Sequence, residues 1–257
     1  MAMLFDSTAM AEGYAFSRPA VHPRVMEKVR ARLRLNRPFK RALDVGCGAG
    51  LSTAALAGIA RQRVGVDPFE SMVRLGGRVA PGAEFVLGKA EALPFADGSV
   101  DFVTAAGSLN FTEVEPALRE IQRVLRWGGH LVVYDFGQGR EFTNSASLTT
   151  WHEEFKQRYP SPPARALDPG LLPFAAAQLT SQGSSEFVAG LPISPEFYLD
   201  YAMTETNVSA AVAQGTPAAE IRAWCEESLR PVFAGETRTV LFRGYVAYAA
   251  KGPALEA

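Results

Sequence analysis

The 257-residue chain holds two cysteines, no surplus of either charge and no long apolar run, and each shortage removes a class of function. Cys47 and Cys225 are too few for a disulfide framework and sit in no Cys-x-x-Cys or Cys/His cluster, so no metal site is expected. Twenty-six Lys and Arg balance 27 Asp and Glu for a net charge of −1. Tracking a nucleic-acid backbone needs clustered cations on one face, so nucleic acid is not the expected partner. The longest apolar runs, such as residues 131–134, fall far short of the roughly 20 residues that span a bilayer, and no integral membrane association is expected. The start of the chain carries Asp6, no cationic stretch and no apolar run of signal-peptide length. A cytoplasmic location is the resulting expectation. Oligomeric state is not legible, because a surface patch is a property of the fold.

What the chain does have is a 47% hydrophobic composition, enough for a full core, arranged as short apolar segments alternating with helical patterns between residues 40 and 136. That alternation is the signature of βαβ units and a parallel sheet. Strands are expected at residues 41–45, 63–66, 84–87, 100–105 and 130–134, with a helix over 51–59. Before the last strand, Leu118, Ile121 and Leu125 recur at helical spacing. Pro116 suits the first position of that helix and Gly128-Gly129 its C-terminal stop. Beyond residue 136 the pattern breaks: Pro160, Pro162, Pro163, Pro169 and Pro173 crowd one stretch. Helices are expected at about 148–158, 196–214 and 217–229, and an alternating strand at 237–249 with a shorter partner near 185–189. The expected organisation is one domain over 1–257. Its core comprises 38–136, 184–190 and 236–250, with a lead over 1–37 and cap insertions at about 137–183 and 191–235.

The segment Asp44-Val45-Gly46-Cys47-Gly48-Ala49-Gly50 runs a buried strand into a glycine turn and a helix. Glycine lets backbone bend sharply and lets a ligand approach where a Cβ would intrude. The spacing is Gly-x-Gly-x-Gly rather than the Gly-x-Gly-x-x-Gly of dinucleotide readers. Asp67 follows the second strand, where a carboxylate either accepts hydrogen bonds from the 2′ and 3′ hydroxyls of a ribose or forms a turn before Pro68. Glu91 follows the third strand, so all three strand ends meet one crevice.

Together with Ala90-Glu91-Ala92-Leu93-Pro94-Phe95, Ser99-Val100-Asp101 and Arg123-Val124-Leu125-Arg126-Trp127-Gly128-Gly129, these motifs resemble the class I S-adenosylmethionine-dependent methyltransferases. Within them they are most similar to the branch of ubiquinone and menaquinone biosynthesis C-methyltransferases, over about residues 12–136. The resemblance implies a Rossmann-like, doubly wound α/β fold with a seven-stranded, mostly parallel sheet and a helical cap. It implies S-adenosylmethionine as cofactor, S-adenosylhomocysteine as product and a small-molecule acceptor. By position it implies that Asp44 orients the glycine loop or reaches the methionine amine through water. Gly46, Cys47, Gly48 and Gly50 admit the cofactor, and Asp67 holds the ribose. Pro68 and Phe69 flank the adenine, Ala90 and Glu91 lie at its edge, and Ala105 and Ala106 offer backbone to the amine. Upstream, Glu12-Gly13-Tyr14-Ala15-Phe16-Ser17-Arg18-Pro19 resembles the family's N-terminal element. There Tyr14 covers the cofactor and Arg18 pairs with its carboxylate.

Two positions depart from the branch: Lys89 stands two residues before Glu91 where an Asp is common, and Asn110 where a His is common. Asparagine is no general base. A base for the acceptor is sought among His152, Glu153 and Glu154 on the cap, Tyr14, and Asp135 at the end of the fifth strand. Each has a plain alternative: His152 as a solvated helix residue, Asp135 as a backbone partner at a strand end. Trp151, Phe155, Tyr159, Phe197, Tyr198 and Tyr201 either line an acceptor pocket or pack the cap. A cofactor-binding protein without methyl transfer, and a nicotinamide-dependent oxidoreductase, stand as the other readings.

Overall fold

The computed structural model describes residues 12, 13, 15–163 and 166–252. The chain divides into two compact units: His22–Phe136, Arg165–Phe187 and Gly244–Ala257 in one, Met1–Val21, Gly137–Ala164 and Val188–Arg243 in the other. The first is built on a sheet, the second largely on helices.

In the sheet unit, α1 (Val21–Arg32) is followed by β1 (Phe39–Val45), α2 (Leu51–Ala55), β2 (Ala60–Asp67), α3 (Glu70–Val79), β3 (Glu84–Leu87), β4 (Val100–Ala106), α4 (Val114–Val124) and β5 (Leu125–Phe136). The strands lie in the order β3-β2-β1-β4-β5, all parallel, with the second half of β8 (Arg238–Ala250) antiparallel to β5. Val45 aligns with Val66 and Ala105, Asp67 with Leu87, and Ala106 with Tyr134, so the carboxyl ends share one edge. Central parallel strands are covered on both faces and therefore read as continuous apolar runs. Val100–Ala106 is buried through its first six residues.

The amphipathic helix α4 buries Val114, Ala117, Leu118, Ile121 and Val124. It begins two residues before Pro116, which tolerates a proline because the first-turn N–H groups have no helical partner. It also ends earlier than expected. Leu125 is already extended, and Gly128-Gly129 form an irregular entry to β5 rather than a helix stop. The Gly128 N–H donates to the Lys251 carbonyl at 2.7 Å. Leu172, Phe174, Ala177 and Leu179 join the same core as Leu118 and Ile121. The proline-rich stretch expected wholly in the cap thus places its apolar side chains in the sheet unit, where burial of each large one contributes about 1.5–3 kcal/mol. The expected helix over 51–59 is a five-residue α-helix followed by a 3₁₀ turn, Leu56–Gly58.

In the other unit, β6 (Glu141–Phe142) pairs with the first half of β8, adding a short strand to the seven expected. α5 (Ser147–Arg158) precedes β7 (Thr180–Ile193), which pairs with β8 as expected. Residues 196–214, expected as one helix, form α6 (Pro195–Ala202) and α7 (Thr206–Ala213). Ser194 caps α6, accepting from the Phe197 N–H at 3.2 Å. The chain turns extended at Glu205, where Thr204 directs its hydroxyl onto the Tyr201 carbonyl at 2.7 Å. α8 (Ala218–Phe233) runs past Pro231 because Val232 and Phe233 are buried beyond it. The Phe233 ring meets Phe142 edge-on at 5.0 Å. Among the described residues no helix is long and apolar enough to cross a membrane.

Candidate functional site

The carboxyl edge of the sheet gathers most of the residues singled out above. Asp44, fully buried on β1, is a hub. Its Oδ2 accepts from the Ser52 hydroxyl at 2.6 Å and the Thr53 hydroxyl at 2.7 Å, and Oδ1 accepts from Thr104 at 2.9 Å. It thereby ties the helix after the glycine loop to β1 and β4. Burial pushes its pKa up, and the three hydroxyls pull it back.

The loop itself folds onto β2, with Gly46 and Cys47 both donating N–H to the Val66 carbonyl, at 2.8 and 3.1 Å. Gly46 and Gly48 are both left-handed, with φ of 68° and 52°, for different reasons. A Cβ on Gly46 would lie 2.3 Å from Ser108 Cβ, whereas one on Gly48 would meet nothing within 4 Å. Gly46 is required by packing against the loop after β4; Gly48 leaves open space. Gly50 is again a packing position, its virtual Cβ lying 2.9 Å from the Phe85 ring. Cys47 is buried, and burial drives its thiol pKa upward, so it is no nucleophile.

Asp67 accepts from the Gly48 N–H at 2.9 Å through Oδ2 and from the Phe69 N–H at 3.0 Å through Oδ1. It forms the turn before α3 and fastens the glycine loop at once. Each carboxylate oxygen keeps a further lone pair. Its pKa is raised by burial and lowered by the two N–H donors. Pro68 beside it is exposed. Ala90 is buried in the core, while Glu91 directs Oε1 to the Glu113 N–H at 2.9 Å, at the start of α4. Lys89 is exposed. Arg123 clamps this segment, donating to the Leu93 and Phe95 carbonyls at 3.0 and 2.8 Å and pairing with Glu120 and Asp97.

At the end of β4, Ala105 and Ala106 lead into Gly107 and Ser108, whose hydroxyl donates to the Val45 carbonyl at 2.6 Å. Asn110 Nδ2 donates to Asp135 Oδ2 at 3.1 Å, and the Phe136 N–H donates to Oδ1 at 2.8 Å. Asp135 does bind backbone at its strand end, and it also bridges to the loop that carries Asn110. Burial raises its pKa, against the pull of Asn110 and the Phe136 N–H.

The other candidates lie in the helical unit. Arg18 donates through Nη2 to the Thr204 carbonyl at 2.9 Å and stands 5.4 Å over the Tyr201 ring. Tyr14 lies outside the described residues. His152 is buried rather than solvated, because Leu148, Trp151, His152 and Phe155 form the inward face of α5. Burial, with Arg140 and Lys156 nearby, lowers its pKa to about 3. Such an imidazole is a poor proton acceptor at neutral pH. Glu153 and Glu154 are exposed. The expected aromatic set packs largely on itself: Trp151 stacks on Phe155 at 4.9 Å and meets Tyr198 at 5.9 Å. The sequence reading missed Glu205, which is 3% exposed, together with Asn207 and Arg140. Four polar residues in a row, Thr204 to Asn207, inside an Ala-rich stretch were the available signal. Among the described residues no three His, Cys, Asp or Glu side chains form a metal-binding group.

With this geometry in hand, residues 43–133 match the sequence profile of the methyltransferase domain family. A demethylmenaquinone methyltransferase of Renibacterium salmoninarum is 42% identical over 100 residues, 38% of this chain and 42% of that protein. A ubiquinone/menaquinone biosynthesis C-methyltransferase of Ectopseudomonas mendocina is 39% identical over 112 residues, 40% of this chain and 44% of its own. The chain thus spans about two fifths of the length of the curated relatives it matches. The fold is similar to that of a protein from Anaeromyxobacter dehalogenans provisionally described as a type II methyltransferase. Their TM-score is 0.67 at 22% identity, covering 83% of this chain and 91% of the other.

Proposed function

We propose that this chain, whose residues 43–133 match the methyltransferase domain family, transfers the sulfonium methyl group of S-adenosylmethionine to a small-molecule acceptor. The observation that carries the reading is the pairing of an open Gly48 with Asp67, whose carboxylate anchors the glycine loop through the Gly48 N–H while keeping lone pairs for a ligand. In this reading Asp67 receives the ribose hydroxyls, and Gly48 leaves room for the cofactor to lie against backbone. Ala105 and Ala106 face the methionine end. Glu91, one oxygen of which is held by the Glu113 N–H, presents its other oxygen at the adenine edge. Asp44 acts through the helix start it braces, its three hydroxyl partners taking both lone pairs of Oδ2 and one of Oδ1. Arg18, bound to Thr204, is not assigned to the cofactor carboxylate.

The cofactor supplies an already electrophilic methyl group. The protein's task is to hold the acceptor in line and keep water out, for which alignment alone contributes roughly 7–11 kcal/mol. Asp135, raised by burial and oriented by Asn110, is the best-placed group on the sheet edge to take a proton. His152 is withdrawn from that role by its low pKa.

Calorimetric titration with S-adenosylmethionine, S-adenosylhomocysteine and NADH tests the site. Micromolar binding of the first two is expected, weakened about tenfold or more for each charge-assisted hydrogen bond removed in Asp67→Asn or Asp67→Ala. Binding of NADH instead, or of neither sulfur compound, overturns the assignment. Release of S-adenosylhomocysteine during turnover of an acceptor panel, followed by mass spectrometry, tests transfer itself. Cofactor binding without turnover would leave a binding protein.

A further inference from the structure

Three glycines of the sheet unit answer to one side chain. A Cβ on Gly50, which closes the loop before α2, would lie 2.9 Å from Phe85 Cζ, and one on Gly65, within β2, would lie 2.8 Å from Cε1. One on Gly76, inside α3, would stand 2.5 Å from Cγ, Cδ1 and Cε1 of the same ring. Real Cβ atoms essentially never come within 3.0 Å of another heavy atom in this way. Gly65 and Gly76 are not left-handed, so backbone geometry does not require them, and glycine inside a strand or helix is disfavoured against alanine. The close approach of the Phe85 ring is what excludes a side chain at each position.

Burial alone does not explain the ring. β3 ends the strand order, and Phe85 on it is only half-buried. The ring reaches over Gly65, its register partner on β2, to the glycine loop. The point that a Cβ on Gly65 would occupy also lies 2.7 Å from Cys47 Sγ, so the ring and the loop's own buried side chain share the gap that this glycine leaves. The ring further marks where the loop meets α3, since a Cβ on Gly50 would lie 3.5 Å from Gly76 Cα. The loop is thus packed at both ends, Gly46 against Ser108 and Gly50 against Phe85. Between them Gly48 donates its N–H to Asp67 Oδ2 at 2.9 Å. Close-packed interiors transmit a displacement rather than absorb it, so the height of the Gly50 end bears on that bond.

We propose that Phe85 is a positioning residue for the cofactor: its ring braces the Gly50 end of the glycine loop and so keeps the Gly48 N–H on Asp67, the carboxylate assigned to the ribose. Phe85 acts through Gly50 and Cys47 rather than by contact with the ligand. This rests on the methyl-transfer reading above, and it adds a residue of the edge strand to the machinery of that site.

The test is calorimetric titration of the full chain with S-adenosylhomocysteine, below the onset of melting, in the parent, Phe85→Leu, Phe85→Ala and the double variant Phe85→Ala/Gly76→Ala. Leu118→Ala, a core truncation on α4, controls for lost stability alone. Phe85→Leu and Phe85→Ala are expected to weaken binding about tenfold, the order of one hydrogen bond to a charged group. Leu118→Ala should lower the melting temperature yet keep affinity within about twofold of the parent. In the double variant the new methyl refills part of the vacated space and suits a helix better than glycine, so melting temperature should recover in part. Affinity should stay low, because a methyl on α3 does not restore the brace on Gly50. Affinity that recovers along with melting temperature, or parental affinity in both single variants, overturns the role of Phe85. Amide exchange followed by NMR reads the loop without ligand: the Gly48 N–H should exchange faster in Phe85→Leu than in Leu118→Ala, and equal rates overturn the brace. If Phe85→Ala does not fold, Phe85→Leu decides by affinity and exchange together. Failure of the parent to bind S-adenosylhomocysteine overturns the methyl-transfer reading, while exchange at Gly48 still decides whether the ring braces the loop.

Discussion

Gly46 and Gly48 separate packing from ligand binding within one loop, and substituting each by alanine gives opposite signatures. Both are left-handed, so either alanine incurs about 1–2 kcal/mol of backbone strain. At Gly46 the new methyl would also stand 2.3 Å from Ser108 Cβ. Ser108 is pinned to the Val45 carbonyl and cannot retreat freely, so overpacking adds about 1–3 kcal/mol. Gly46→Ala is therefore expected to lose about 2–5 kcal/mol, at roughly 2–4 °C of melting temperature per kcal/mol for a chain of this size. Gly48→Ala meets no protein atom and should lose only the backbone term, yet its methyl fills the space assigned to the cofactor. Denaturant unfolding and S-adenosylhomocysteine calorimetry on the pair read both effects. Gly48→Ala should fold nearly as well as the parent and bind at least about tenfold more weakly, the equivalent of 1.4 kcal/mol. Retention of parental affinity by Gly48→Ala would refute the reading of this loop as the cofactor cradle.

Arg123→Ala removes the side-chain donor of the Phe95 carbonyl and one of the two donors of the Leu93 carbonyl, which keeps the Phe95 N–H, and should cost about 1–3 kcal/mol in urea unfolding. The pKa of Glu120 is lowered mainly by Arg123, so its contribution is present above the ordinary carboxylate range and lost as pH falls through the lowered value. The variant should consequently be less sensitive to acid than the parent. His152, lowered from 6.5 to about 3, stays neutral while the unfolded chain takes up a proton. Its contribution is complete above pH 6.5 and declines toward pH 3 at up to about 1.4 kcal/mol per unit, and His152→Leu should flatten that decline in urea midpoints measured from pH 7.5 to 5. Glu205, raised from 4.5 to about 7, has the opposite sign. The folded chain keeps its proton, so stability falls as pH rises between those values, and Glu205→Gln should remove that fall.

The sheet was legible because its signals are local. Hydrophobic runs bounded by glycine and aspartate announced the five parallel strands within a few residues, and Asp44, Asp67 and the glycines stand at their expected edge. Leu118, Ile121 and their spacing announced α4. Its end was misplaced because Leu125 serves a strand as readily as a helix, and the neighbouring strand decided the matter. The helical unit was harder. The break between α6 and α7 depends on Thr204 and Glu205 turning inward, a tertiary event that no propensity encodes. The burial of His152 was present in the i, i+3, i+4, i+7 spacing of Leu148, Trp151, His152 and Phe155, but a polar residue on an apolar face gives no sign of which way it points. Residues that bind backbone at strand ends follow from sequence order, whereas the burial of Glu205 in the other unit does not.

The three hydroxyls on Asp44 also bear on the thermodynamics of ligand binding. Ordering a mobile segment during binding costs about 1–2 kcal/mol per residue in backbone entropy, a charge that flexible phosphate- and nucleotide-binding loops levy against their own affinity. Here Ser52 and Thr53 hold the start of α2 to β1, Thr104 joins β4 to the same carboxylate, and the Val66 carbonyl receives the loop's N–H groups. A loop fastened by the protein's own bonds needs little ordering when a ligand binds. Ligand association should be limited by diffusion and desolvation rather than by loop closure, with a heat of binding that reflects contacts made and not structure formed.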